Sequence, residues 1–145
     1  MPHSASAQLA IAFLRCVCGL AMWRGRTPER VVAVGAVLNE ILYLAFYHPN
    51  DRINPQWEAV IWDLIYVTQL GYAAIWGNRT WAKWAMAFEL LIIGTHLALA
   101  GDLRIETYFA FWATAFWTIA VLLALIFGTL KIIWEERRAK RAALV

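Results

Sequence analysis

The sequence predicts an all-α protein: a transmembrane helical bundle of five spans, with the N-terminus outside and the C-terminus cytoplasmic. Three observations carry this. Hydrophobic residues make up 62% of the chain and charged residues 16%, an apolar excess that a soluble domain of 145 residues cannot cover. Five stretches approach the length of about 20 mostly apolar residues that a spanning helix needs. Finally, ten of the thirteen Lys and Arg residues fall in alternate connections. These are Arg24, Arg26 and Arg30; Arg79 and Lys83; and Lys131, Arg137, Arg138, Lys140 and Arg141. Basic residues in short loops stay on the cytoplasmic side, so the alternation also sets the orientation. The intervening connections hold only Arg52 and Arg104.

The first span is predicted over about 5–23. Arg15 is its only charged side chain, and no basic residue precedes the apolar stretch as a cleavable signal would require. An alternative remains: a first helix lying on the membrane surface leaves four spans and moves the N-terminus to the cytoplasm. Cys16 and Cys18 point to different sides of this helix and cannot pair with each other there; they read as packing residues.

The second span is predicted over about 31–47, with Thr27 as N-cap and Pro28 and Glu29 suited to the first turn. The segment HPNDRINPQ then reads as an exterior turn-rich loop. The third span covers about 57–76 and ends at Gly77-Asn78 in the manner of a C-cap. The fourth covers about 81–100 and breaks at Gly101-Asp102. The fifth covers about 107–134 and continues into a basic cytoplasmic tail, 135–145, where Glu136 and Lys140 stand at the favourable i,i+4 spacing. All of this is one transmembrane domain. Its connections are short, so consecutive helices run antiparallel. Trp23, Trp57, Trp76, Trp81, Trp84 and Trp134 lie at span ends, where indoles sit at the headgroup level.

Charge inside a bilayer is costly and marks functional candidates. Those residues are Arg15, Glu40, Asp63, Glu89 and His96, with Asn39, Tyr43, Tyr66 and Gln69 as supporting polar groups. At a rise of about 1.5 Å per residue, Arg15 and Glu40 lie about 12 and 15 Å from the inner face. That match predicts an Arg15–Glu40 ion pair. Asp63 and His96 lie about 9 and 8 Å from the outer face, and can form a second pair. Glu89 shares a helix face with His96. Lys83 reaches Glu89 only by extending its aliphatic stem. The first-helix stripe Gln8, Ala12, Arg15, Gly19 and Met22 is expected to face inward. So is Ala36, Glu40, Tyr43 and Tyr47 on the second helix, with Asn39 beside it. Asp63, Tyr66 and Ala73 share a side of the third, and Thr107, Ala110, Thr114 and Thr118 form a small polar stripe on the fifth.

No catalytic motif, phosphate loop, nucleophile elbow or HExxH zinc sequence is present. The paired Glu-x-x-His sequences of carboxylate-bridged metal bundles are missing too. No enzymatic activity, cofactor or metal is therefore expected. The formal charge of +3 comes largely from the tail, whose natural partner is anionic lipid and not nucleic acid. The segments RTPERVVAV, IWDLIYV and TWAKWAMAFELLIIGTHLALAGDLRIETYFAFW resemble a group of small alphaproteobacterial polytopic membrane proteins. The resemblance covers most of the chain from Arg26 onward. It implies a bacterial inner-membrane location and a shared helical architecture, and it transfers no catalytic role. The tryptophan-rich, five-helix outline is similar to the tryptophan-rich sensory proteins, but their proline- and tryptophan-rich loop pattern is missing.

The expected function is that of a non-enzymatic inner-membrane protein, a subunit or accessory element of a membrane assembly or a homo-oligomer, with a buried charge network. A proton- or ion-conducting or transport protein using Glu40, Asp63, Glu89 and His96 is the alternative. Small-ligand binding within the bundle and a phage-type pore former remain open as well.

Overall fold

The computed structural model describes residues 5–46, 57–101 and 107–143, and among them every regular element is a helix. These are α1 (Ala5–Arg24), α2 (Thr27–Phe46), α3 (Trp57–Ile75), α4 (Thr80–Gly101) and α5 (Thr107–Ala142). The expected exterior connections at 47–56 and 102–106 lie outside the described residues, with Tyr47, Arg52, Asp102 and Arg104. So do the side chains of Thr107 and Ala110.

Local chemistry accounts for the helix ends at one end of the bundle. α2 starts at Thr27, so Thr27 is its first helical residue and not its cap. The cap is Arg26, whose carbonyl accepts the Arg30 N–H at 3.0 Å. Its own N–H donates to Glu29 Oε2 at 3.1 Å, which is the acidic half of a capping box. α3 closes with the Arg79 N–H donating to the Ala73 carbonyl at 3.2 Å. The left-handed residue of that turn is Asn78, with φ of 49°, not Gly77; asparagine is among the few residues that adopt this conformation readily. α5 has 36 residues, about 54 Å at 1.5 Å per residue, so it extends well past its neighbours.

Each helix packs on its neighbours in the chain, and α1 also packs on α5, closing a ring. Contacts set the register. Asn39 meets Asp63, Gly35 faces Gln69 and Tyr66, and Phe88 stacks on Trp117. Together with Trp81 against Gly128, these contacts have residue numbers rising on one helix as they fall on the other, so α2–α3 and α4–α5 are antiparallel. A Cβ at Gly35 would strike the Gln69 amide, so glycine there lets α3 approach α2 closely. The core comprises Val17, Cys18 and Ala21 from α1, Val32, Ala33 and Ala36 from α2, and Leu70, Ala73 and Ala74 from α3. Ala82 and Ala85 from α4 and Val121, Leu122 and Leu125 from α5 complete it. Its many alanines allow close helix contact.

Two helical stretches, Thr80–Gly101 and Trp112–Ala142, are long and apolar enough to cross a membrane, with mean hydropathy of 1.5 and 2.2. Only 22% and 33% of these stretches is buried in the protein, so their apolar side chains face outward. Large apolar side chains are exposed on the other helices too, including Leu38 and Ile41, Ile61, Leu64 and Ile65.

One expectation about faces is corrected. The stripe Gln8, Ala12, Arg15, Gly19 and Met22 is exposed. α1 turns Leu14, Val17, Cys18 and Ala21 to the core instead, because small apolar groups fit between helices where a guanidinium does not. Cys18 is accordingly buried and Cys16 exposed, both as free thiols. On α5 the buried side chains are Val121, Leu122, Leu125, Thr129 and Ile132, while Thr114 and Thr118 of the threonine stripe are half-buried. There Thr118 bonds to the Thr114 carbonyl of its own helix.

Candidate functional site

Two groups of buried polar side chains occupy the bundle, with an apolar layer between them. The first is built on α2, α3 and α4. Asp63 of α3 is 6% exposed and Glu89 of α4 is 2% exposed. Their carboxyl groups lie within hydrogen-bonding reach of each other. Two carboxyl groups can share a hydrogen bond only if one carries a proton, so this contact is a place for a proton. Asn39 Nδ2 donates to Asp63 Oδ1 at 3.1 Å, and His96 Nε2 stands 3.6 Å from Asp63 Oδ2. Glu89 and His96 are seven residues apart on one face of α4, and Asp63 sits between them. Tyr66 is buried one turn along α3 and has Glu89 and Cys18 as ionisable neighbours. The Tyr66 hydroxyl, Gln69 Oε1, Glu40 Oε1, Asp63 Oδ2 and Glu89 Oε1 are buried and have no hydrogen-bond partner among the N–H and hydroxyl groups of the described residues. Buried polar atoms of this kind are those that internal water or a mobile proton satisfies.

The sequence-derived residues divide accordingly. Asp63, Glu89 and His96 come together with Asn39, and Tyr66 adjoins them. Glu40 stands apart: Arg15 is the cation acting on it, yet the two form no salt bridge among the described residues, and Arg15 is exposed. The expected Arg15–Glu40 pair is thus not a close salt bridge: Arg15 acts on Glu40 only at longer range. Tyr43 is exposed on α2. Lys83 is exposed and makes no ion pair with Glu89.

The second group lies at the end of the bundle that carries the basic connections. Glu29 is fully buried at 0% exposure. Its Oε1 lies 3.0 Å from Arg79 Nε and accepts the Trp81 Nε1–H at 3.1 Å, while its Oε2 takes the Arg26 N–H. One carboxylate thus ties α2 to the α3–α4 turn and to α4. Trp81 is buried, with its indole against Gly128 of α5, where a Cβ would overlap the ring. Its expected place in the aromatic belt is therefore corrected: its N–H has an internal acceptor. Trp23, Trp57, Trp76 and Trp84 are exposed near helix ends, and Trp134 is exposed within α5, eight residues before its end. From its place in the chain Glu29 is only a favourable first-turn acid. The available signal was the three-residue spacing from Arg26 to Glu29 typical of a capping box, and that spacing does not reveal Arg79 or Trp81.

Between the two groups lie Val32, Ala33, Leu70, Ala73, Ala82 and Ala85, all at 0% exposure. Along α2 the separation from Glu29 to Asn39 is ten residues, about 15 Å. Among the described residues this apolar layer separates the Asp63–Glu89 group from Glu29, with Gln69, packed against Gly35, at its edge. Among the described residues no three His, Cys, Asp or Glu side chains converge as metal ligands.

No protein-family model, curated protein or solved structure matches the chain.

Proposed function

We propose that the chain is a five-span protein of the bacterial inner membrane, N-terminus outside and C-terminus cytoplasmic, that works as a proton-binding element rather than an open channel. The observation that carries the proton site is the hydrogen-bonding contact between the buried Asp63 and Glu89 carboxyl groups, with His96 at 3.6 Å. The membrane reading is supported by the exposed apolar side chains on every helix and by the low burial of the two most apolar helices. A helix in the core of a soluble protein is mostly buried, and contiguous exposed apolar surface of this kind marks a membrane or partner interface. α2 and α3 are less apolar because they carry Asn39, Glu40, Asp63 and Gln69. Those residues are buried or partly buried, so a lipid-facing side remains. The resemblance to small alphaproteobacterial membrane proteins points the same way. With the basic connections inside, the carboxyl pair lies in the outer half of the bilayer, sealed from the cytoplasm by the Leu70 layer.

Infrared difference spectroscopy on reconstituted protein tests the site. Stepping the external pH is expected to change a carboxyl C=O stretching band. Asp63→Asn and Glu89→Gln should each remove that band, and a step in internal pH should leave it unmoved. An unchanged band in both variants would sink the proposal.

The accessory or homo-oligomeric reading is favoured by one observation of its own: Arg15, about 12 Å from the inner face, is exposed on α1 with no ion pair among the described residues. A guanidinium facing lipid at that depth is costly, and a neighbouring chain that supplies a carboxylate removes the cost. Glu40 of a second copy is such a carboxylate. Native mass spectrometry in mild detergent should give an oligomer for the wild-type chain and a monomer for Arg15→Leu. A monodisperse wild-type monomer with no co-purifying protein argues against it.

A further inference from the structure

We propose that the cleft between the α1–α2 turn and the extension of α5 binds an anionic phosphate group, supplied by a phospholipid headgroup of the inner leaflet. The cleft has a volume of about 510 Å³ and is lined by Trp23, Arg24, Arg26, Arg30 and Glu136, among others. Three guanidinium groups thus face one carboxylate across a space large enough for a phosphate diester and its nearest substituents. None of these arginine side chains is in a salt bridge among the described residues, in contrast to Arg79, which is held by Glu29. Arg24 is fixed by its position over the Trp23 ring, 4.8 Å from the centroid, and an exposed indole at a helix end sits at the headgroup level.

Guanidinium groups match phosphate oxygens in paired hydrogen bonds. α2 begins in the wall of the cleft at Thr27, which adds the positive end of its dipole. The tail is arranged differently. Arg138 folds back over the Trp134 ring at 4.4 Å, and the tail residue that α5 presents to the cleft is Glu136. Its negative charge opposes the attraction of the three arginines for an anion, so the cleft's affinity is set by three positive groups against one negative. Basic pockets at the cytoplasmic ends of membrane helices are suited to such headgroups. The inference rests on the membrane reading above and is independent of the proton site.

Native mass spectrometry and thermal unfolding of the purified full chain in mild detergent provide the test, with phosphatidylglycerol, phosphatidylcholine or inorganic phosphate added separately. Phosphatidylglycerol should give a discrete adduct and a raised melting temperature that phosphatidylcholine does not. Binding should weaken about fivefold for each of Arg24→Gln, Arg26→Gln and Arg30→Gln. Glu136→Gln should strengthen it, a change of sign that a merely structural role does not produce. Arg137→Gln with Arg138→Gln, outside the cleft, should leave it unaltered. A response to inorganic phosphate equal to that of the lipid assigns the cleft to free phosphate and overturns the headgroup. Equal weakening by the tail variant, or binding retained in all three single variants, overturns the site itself. Each single variant is read against its own lipid-free melting temperature, so a folding defect is separated from lost binding. Should the chain prove not to enter membranes, the inorganic phosphate arm still reads the cleft, and the two failures remain distinct.

Discussion

Glu29→Ala should destabilise the bundle by about 3–5 kcal/mol, the usual cost of removing one partner of a buried ion pair. The substitution leaves the Arg79 guanidinium, 22% exposed, facing a space with no carboxylate. It also strands the buried Trp81 N–H and the capping Arg26 N–H, each of which had Glu29 as acceptor. Glu29→Gln keeps one acceptor oxygen for one of those two donors, which bond to different carboxylate oxygens, and turns its NH2 toward the other, so its loss should be smaller than that of Glu29→Ala but not negligible. Glu29→Leu combined with Arg79→Leu should recover part of the loss, because both charges then leave together. Unfolding in mixed detergent micelles measures all three. Equal losses for Glu29→Ala and the double variant would show that the ion pair is not what holds this end of the bundle.

Leu70→Asn should turn a sealed protein into a leaky one. Leu70 is fully buried at the centre of the apolar layer between the Asp63–Glu89 group and Glu29. An amide there supplies hydrogen bonds where the native layer offers none. It also loses apolar packing, for a destabilisation of roughly 2–5 kcal/mol. In liposomes carrying a pH-sensitive dye, the variant should pass protons faster than the wild-type chain, and Glu89→Gln in the same chain should suppress the leak. Leu70→Ala is the control. It costs about 3–5 kcal/mol through the cavity, but apolar cavities stay dry, so it should remain tight to protons. A leak from Leu70→Ala as large as from Leu70→Asn would mean that loosened packing, not a polar route, carries the protons. A leak that ignores Glu89→Gln would remove the carboxyl pair from the path.

The two variants probe opposite ends of one design. Glu29 is a buried charge whose every oxygen is occupied, by Arg79 and Trp81 on one and Arg26 on the other. Such a carboxylate is structural. The other buried polar groups are different: among the described residues Gln69, Tyr66 and Glu89, and Glu40 apart from them, each keep a buried polar atom without an N–H or hydroxyl partner. Incomplete satisfaction of buried polar atoms is costly, and the proton-binding proposal gives these atoms a partner in water or a proton.

Much of the architecture was legible from residue types alone. Apolar stretches gave four of the five helix starts to within a residue or so, and Thr27-Pro28-Glu29 marked the remaining one even though the span was placed four residues later. The meeting of Asp63 and His96 was readable as well, because both lie a similar number of residues from the same end of antiparallel neighbours. Depth matching failed for Arg15 and Glu40 for a definite reason. Counting residues along a helix gives height but not rotation, and α1 is rotated to put Cys18 and Ala21 inward. It failed again for Trp81, since an indole at a span end has the same height whether it faces lipid or core; Gly128, far away in the chain, decides that it faces the core.

What the sequence by itself determined is therefore the set of helices, their alternation and the end of the bundle that carries the basic residues. These depend on local composition and on chain length between charges. Only the tertiary structure decided which polar residues meet. It joined Glu89 to Asp63, gave Glu29 to Arg79 and Trp81, left Arg15 outside and placed an apolar layer across the middle. Those outcomes depend on how each helix is rotated about its own axis, and that rotation is set by small residues on other helices that allow or forbid close approach.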